Sequence, residues 1–182
     1  MRITRAGLNR RWEISVLLAV AAFAVLAAVD ANLKLRSGLS AADVQGFALA
    51  AQYRLAAVAW VTPSLALQAG FALGFDYLFM PLYAAGFFYS GIIAREAFAP
   101  RPSRPRRLLT LLAAVPIAGA MLDAIENGLE VWLLLNGASD TMARLAFTIS
   151  NAKMVAVYVG IVLLAGAILA RAQERQKRKM DI

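Results

Sequence analysis

Asp123, Glu126, Asn127 and Glu130 interrupt an otherwise apolar run from Leu108 to Leu135. Their spacing of i, i+3, i+4 and i+7 puts all four on one face of a helix. Three carboxyls and an amide on one stripe can hold protons, bind a cation, or act as general acid and base. Inside a membrane span each carboxylate is costly unless it is paired, protonated, hydrated or cation-bound, so this face must look onto protein or water. Two other apolar runs bring further ionisable groups. Asp76 is followed two turns later by Tyr83 on the same face, and Lys153 lies one turn after Ser150 with Asn151 close by. Asp76 and Lys153 each fall about four residues, roughly 6 Å, to the outer side of their run's midpoint, the depth at which the acidic stripe begins.

Charge in this layer does not balance. Asp76, Asp123, Glu126 and Glu130 against Lys153 alone would leave a net charge of minus three if every carboxyl ionised. Protonation, a bound cation or water entering from outside must relieve it. Glu130, nearest the outer interface, is expected to be hydrated. The ligand or ion-binding candidates are therefore Asp76, Tyr83, Asp123, Glu126, Asn127, Glu130, Asn151 and Lys153. No catalytic residue is assigned. A metal is not required, but Asp76, Asp123 and Glu126 are the oxygen ligands a Mg²⁺ ion would use.

The elements that carry these residues follow from composition. The chain has 182 residues, 61% of them hydrophobic, and a mean hydropathy of +0.64, which is too apolar for an ordinary soluble domain. It contains no cysteine and no histidine, which removes disulfides, zinc and iron-sulfur ligation by thiolate, histidine-ligated haem and imidazole catalysis. No cofactor is expected beyond the Mg²⁺ alternative.

Four spans are expected, at about residues 13–30, 65–94, 107–135 and 146–170, in a single membrane domain covering 1–182. The last three are long enough to cross a hydrocarbon core of about 30 Å. The first, preceded by Arg2, Arg5, Arg10 and Arg11, also resembles a signal peptide; an uncleaved span is the expectation because the rest of the chain is itself a membrane protein. Asp76 and Pro81 interrupt the second run, and Gly70 with Gly74 suggests close helix packing there.

The net charge of +8 reads as topology and not as nucleic-acid binding, because the basic residues gather at the ends of the apolar runs. The N-terminus, the Arg95–Arg107 loop and the tail at 171–182, with Arg171, Arg175, Lys177, Arg178 and Lys179, fall on one side of four spans. Both termini should then face the cytoplasm of a bacterial inner membrane, with the loop extended and solvated against anionic lipid headgroups. Trp12, Trp60 and Trp132 are placed near the interfaces.

Residues 40–60 form an expected amphipathic helix on the outer surface, capped by Ser40 and ended by Pro63. Its apolar face would comprise Val44, Phe47, Ala48, Ala51, Leu55, Val58 and Ala59. It would lie over the mouth of the bundle and limit water entry. A fifth span is the rival reading, disfavoured because it would bury Gln52 and Arg54 and split the basic segments between two sides.

The expected fold is thus an all-α integral membrane protein, a four-helix transmembrane bundle with one extra surface helix. Span one should pack through apolar contacts, and the polar cluster should lie between spans two, three and four. Three functional readings stand. The cluster binds a proton, a cation or a lipid-like ligand, with a homodimer expected if the protein is a carrier. Alternatively it is the carboxylate site of a membrane enzyme acting on a lipid or isoprenoid, or interhelical glue in an accessory subunit of a larger membrane complex.

GFDYLFMPLY (Gly74 to Tyr83), LDAIENGLE (Leu122 to Glu130) and NAKM (Asn151 to Met154) together resemble a pattern in small bacterial four-span membrane proteins of unassigned activity. The resemblance covers the last three spans. It implies that Asp76, Tyr83, Asp123, Glu126, Asn127 and Lys153 belong to one site, and it implies no reaction.

Overall fold

The structure, a computed structural model, describes residues 4–180, apart from the side chains of residues 177–179. Arg2 and the side chains of Lys177, Arg178 and Lys179, counted above among the basic groups, lie outside the described residues.

The described chain is all helical: α1 (Arg5–Ser37), α2 (Ala41–Val44), α3 (Ala50–Ala59), α4 (Pro63–Phe98), α5 (Arg104–Asn136) and α6 (Asp140–Met180). α1, α4, α5 and α6 are long and apolar enough to cross a membrane, matching the four expected runs in place and extending beyond each. Their ends carry the expected signals. Thr4 caps α1 through the Gly7 amide, and Gly38 ends it in the left-handed conformation at φ 80°. Ser103 caps α5 through the Arg106 amide, and Pro63 opens α4 where its missing N–H costs nothing. Pro81 does not break its helix: α4 runs through it, as α5 runs through Pro116.

α4, α5 and α6 pack against one another, while α1 packs along α4. Close approach within the three-helix core depends on small residues. A Cβ on Gly91 would lie 2.5 Å from the Cβ of Ala113 across the α4–α5 contact, and one on Gly119 would lie 2.6 Å from that of Ala156 across the α5–α6 contact. Gly70 and Gly74, expected to serve this purpose, have no neighbour within 4 Å. The helix pairs meet at other levels, and glycine spacing along one helix cannot report that.

The basic segments meet at one end of the bundle. Arg5 pairs with Glu174, and Arg171 lies 2.6 Å from Glu13 with its guanidinium 4.9 Å from the centre of the Trp12 ring. Trp12 donates to Ser90 at 2.8 Å. The Arg95–Arg107 segment, expected to be an extended, solvated loop, is mostly helical: only 99–103 lie between helices, Arg95 belongs to α4, and Arg104, Arg106 and Arg107 belong to α5. Arg95 and Arg106 converge on Glu96 at 2.6 and 2.7 Å. Capping by Ser103 starts the helix before these arginines and turns Arg106 to Glu96 and the Ala99 carbonyl at the α4–α5 junction, while Arg104 and Arg107 stay exposed.

The opposite end departs most from expectation. Residues 40–60 form two short helices. Gln52 turns back to accept from the Ala48 and Leu49 amides at 2.9 and 3.0 Å, which caps a fresh helix start at Ala50. That restart changes the phase. Tyr53, Ala56 and Trp60 face inward against Leu33, Leu133 and Ala146, whereas Leu55 and Val58 of the expected apolar face are 65% and 71% exposed. Two aromatic rings bury more apolar area than the aliphatic stripe would. Trp60, expected at an interface, is buried and donates to Ser37 at 3.1 Å.

α2 is held by a capping box between Ser40 and Asp43, and Asp43 also takes Lys34 of α1 at 2.9 Å. Burial pulls the Asp43 carboxyl upward, but hydrogen bonds from the Ser40 amide, Lys34 and the Ser40 hydroxyl outweigh it and hold the group below its ordinary 3.8. A depressed pKa stabilises the fold above the ordinary carboxylate value, and that contribution disappears as pH falls through the depressed one. Acidification should therefore loosen α2 from α1. In a Trp12→Phe/Trp132→Phe background, Trp60 emission should shift to the red on acidification, while Asp43→Asn should be shifted already at neutral pH. Superimposable profiles for the two proteins would refute this role for Asp43.

Candidate functional site

The polar residues of α4, α5 and α6 converge midway along the bundle. Lys153 Nζ of α6 donates to Asp123 Oδ1 of α5 at 3.0 Å and lies 2.6 Å from Glu126 Oε2, one turn further on. The second contact is an ion pair without the alignment of a hydrogen bond, since neither Glu126 oxygen has a directed donor. Tyr83 of α4 donates to Asp123 Oδ2 at 2.9 Å, so both oxygens of Asp123 are engaged. Asn127 donates to Asp76 Oδ2 at 2.9 Å and more weakly to the Leu73 carbonyl. The contact network thus joins all three helices, as their shared depth suggested.

Burial is severe. Glu126, Asn127 and Glu130 are fully excluded from solvent, Lys153 is 3% exposed and Asp123 5%. One ammonium compensates two carboxylates here in a medium of low dielectric, so each contact matters more than it would at a surface. Ser150, one turn before Lys153, is buried as well.

Two expectations need correction. Glu130 is not hydrated: it is wholly buried, and neither carboxyl oxygen has a hydrogen-bond partner among the described residues. Tyr53 of α3, its own hydroxyl buried and without a partner among the described residues, belongs to the apolar cluster that includes Leu133, with Leu129 of α5, next to Glu130 in sequence, packed against it. Asn151 is outside the cluster. It is exposed and donates to the Phe147 carbonyl at 2.8 Å, because a residue two positions before Lys153 lies about 200° around the helix from it. Asp76, half-buried, takes the Asn127 amide, and it is Asp123 and Glu126 that hold Lys153. As for Mg²⁺, no group of three or more carboxylates converges on a common point among the described residues, and Asp123 and Glu126 are turned to Lys153.

Sequence reasoning missed four participants. Tyr77, beside Asp76, donates to the Ala124 carbonyl at 2.9 Å and ties α4 to α5. Asp30 of α1 accepts from the Ala41 and Ala42 amides at 3.0 Å each and so anchors the start of α2. Its position at the end of an apolar run was the available signal. Phe23 of α1 and Phe87 of α4 are the others, because they line a cavity that no sequence pattern announces.

That cavity has a volume of about 460 Å³ and lies between α1, α4 and α6. Asp76, Tyr83, Asp123 and Lys153 form one wall, Phe23, Phe79 and Phe87 line much of the rest, and Ala41, Ala42 and Gln45 close the end beneath α2. A smaller, apolar extension of about 180 Å³ shares Phe23, Phe79, Tyr83 and Phe87 and continues towards the basic end past Val20 and Leu164.

These features define a class: an all-helical bundle with four helices long and apolar enough to cross a membrane, a buried charged cluster among three of them, and an apolar cavity opening beside it. Comparison with protein-family models, with curated proteins and with solved structures finds no match.

Proposed function

We propose that this chain is a multi-span protein of the bacterial inner membrane that binds a lipid-like ligand in the cavity beside Asp76, Asp123 and Lys153. The cavity carries this reading. Helix adhesion alone accounts for Lys153 between Asp123 and Glu126, but it has no use for a phenyl-lined space whose wall includes the half-engaged carboxyl of Asp76. The combination of aromatic lining and few polar groups suits a molecule that is mostly hydrocarbon. The resemblance to small bacterial four-span proteins supports the membership of the site and leaves its ligand open.

The basic end would face the cytoplasm, with anionic headgroups against Arg95 to Arg107 and the tail, and α2 and α3 would cover the outer mouth. Extraction into polymer nanodiscs without detergent, followed by native mass spectrometry, tests the ligand. Wild-type protein should carry an adduct of lipid-like mass, and Ala27→Trp, at an exposed position on the cavity rim, should lose it. An identical adduct in both would sink the reading. Cysteine labelling tests orientation, since the chain contains no cysteine of its own. In intact cells an impermeant maleimide should label Ala51→Cys and spare Arg101→Cys, and the reverse pattern would invert the topology.

A further inference from the structure

Hydrogen-bonding capacity on the cavity wall is unevenly spent. The Tyr83 hydroxyl donates to Asp123, and the Lys153 ammonium is held between Asp123 and Glu126, so the donors facing the space are turned to carboxylates of the protein. An acceptor remains. Asp76 gives one oxygen to Asn127, and its other oxygen has no protein donor among the described residues. The cavity is lined by three carboxyls, Asp30, Asp76 and Asp123, against the one ammonium of Lys153, which Glu126 behind the wall also shares, so the wall favours a positive charge over a negative one.

The space is also elongated. From Val16, which lines the apolar extension, to Asp30, which lines the far end of the main cavity, α1 advances about 21 Å at 1.5 Å per residue. Polar groups lie in the part towards α2, whereas the extension towards the basic end is hydrocarbon and aromatic. α1 and α6 approach one another near that basic end, where Arg5 pairs with Glu174 and Glu13 with Arg171, and Leu8 and Trp12 pack against the cluster of Ile93, Ala167 and Ala170. Beyond it α1 packs on α4 while α6 packs on α5 and α4, and the cavity lies between Phe23 and Leu26 of one and Met154 and Val157 of the other.

We infer that the occupant is a single-chain amphiphile with a primary ammonium head, entering sideways between α1 and α6, its head on Asp76 and its tail along Val20 and Phe87 towards the basic end. This rests on the ligand-binding reading above and adds head chemistry, route and direction. An ammonium supplies the donors that Asp76 lacks and offsets the excess negative charge. A carboxylate head would meet like charge, and an alcohol would satisfy the hydrogen bond without the charge.

The full chain in nanodiscs at neutral pH can be titrated with tetradecylamine, tetradecanol and tetradecanoic acid by calorimetry. Tetradecylamine should bind at least tenfold more tightly than the alcohol, with the acid weakest. Asp76→Asn should erase the preference for amine over alcohol. Val20→Trp, a change at an exposed position on the mouth of the apolar extension, should weaken tetradecylamine at least tenfold and leave hexylamine unaffected. Equal affinity for the three heads would overturn the ammonium assignment while leaving the ligand-binding reading intact. Unchanged tetradecylamine binding by Val20→Trp, or an equal loss for hexylamine, would overturn the tail direction. If no tetradecyl compound binds, the inference fails. Whether the broader reading fails with it is then decided by the mass-spectrometric adduct and its loss in Ala27→Trp.

Discussion

Lys153→Met should lower the unfolding free energy of the solubilised protein by about 3–5 kcal/mol, the cost of leaving buried charge uncompensated. Lys153 is nearly inaccessible and is the cation that Asp123 and Glu126 share, at 3.0 and 2.6 Å. Removing it strands two carboxylates, of which Asp123 retains only the Tyr83 hydroxyl and Glu126 has no directed donor. A single compensating change should therefore not suffice. Glu126→Gln with Lys153→Met should recover part of the loss, and the further addition of Asp123→Asn should recover most of it. Reversible unfolding in mixed detergent micelles measures the series, and recovered expression of the triple variant gives a second readout if the single variant does not fold. A cost below about 1 kcal/mol for Lys153→Met would mean that the pair is hydrated and that the buried cluster is misjudged.

Gly119→Ala should also destabilise the bundle, by about 1–3 kcal/mol, because overpacking at a rigid contact forces the helices apart. The added methyl would lie 2.6 Å from the Cβ of Ala156, an atom with no rotamer to yield, and 3.9 Å from the Lys153 carbonyl. The displaced helix is the one that carries Lys153, so the same change should stretch its contact with Asp123. Exchanging the methyl across the interface, Gly119→Ala with Ala156→Gly, should restore stability to within about 1 kcal/mol of wild type, a coupling that a double-mutant cycle reads directly. If the single variant is neutral, or the exchange fails to restore it, the close approach of α5 and α6 is not what sets the geometry of the cluster.

How much of this was legible depends on what period and hydropathy can encode. The four long helices were, since a run of about twenty apolar residues is long enough to span a bilayer and little else requires it. The acidic stripe was legible too, because i, i+3, i+4 and i+7 share a helix face whatever surrounds them. Asn151 was misplaced although the same rule excludes it. The phase of α3 was hidden for a different reason: the Gln52 side chain starts a new helix inside what reads as one apolar pattern.

By itself, then, the sequence determined that four apolar helices form, that basic segments end them, and that Asp76, Asp123, Glu126, Asn127 and Lys153 lie at one depth. Covalent order and helical rise are enough for that. Only the tertiary structure decided that Lys153 takes Asp123 and Glu126 while Asp76 takes Asn127, that Glu130 is fully buried, and that α1 stands away from α6 to leave a cavity. Those outcomes depend on how each helix is rotated against its neighbours. That rotation is set by contacts such as Gly91 with Ala113 and Gly119 with Ala156, between residues far apart in the chain.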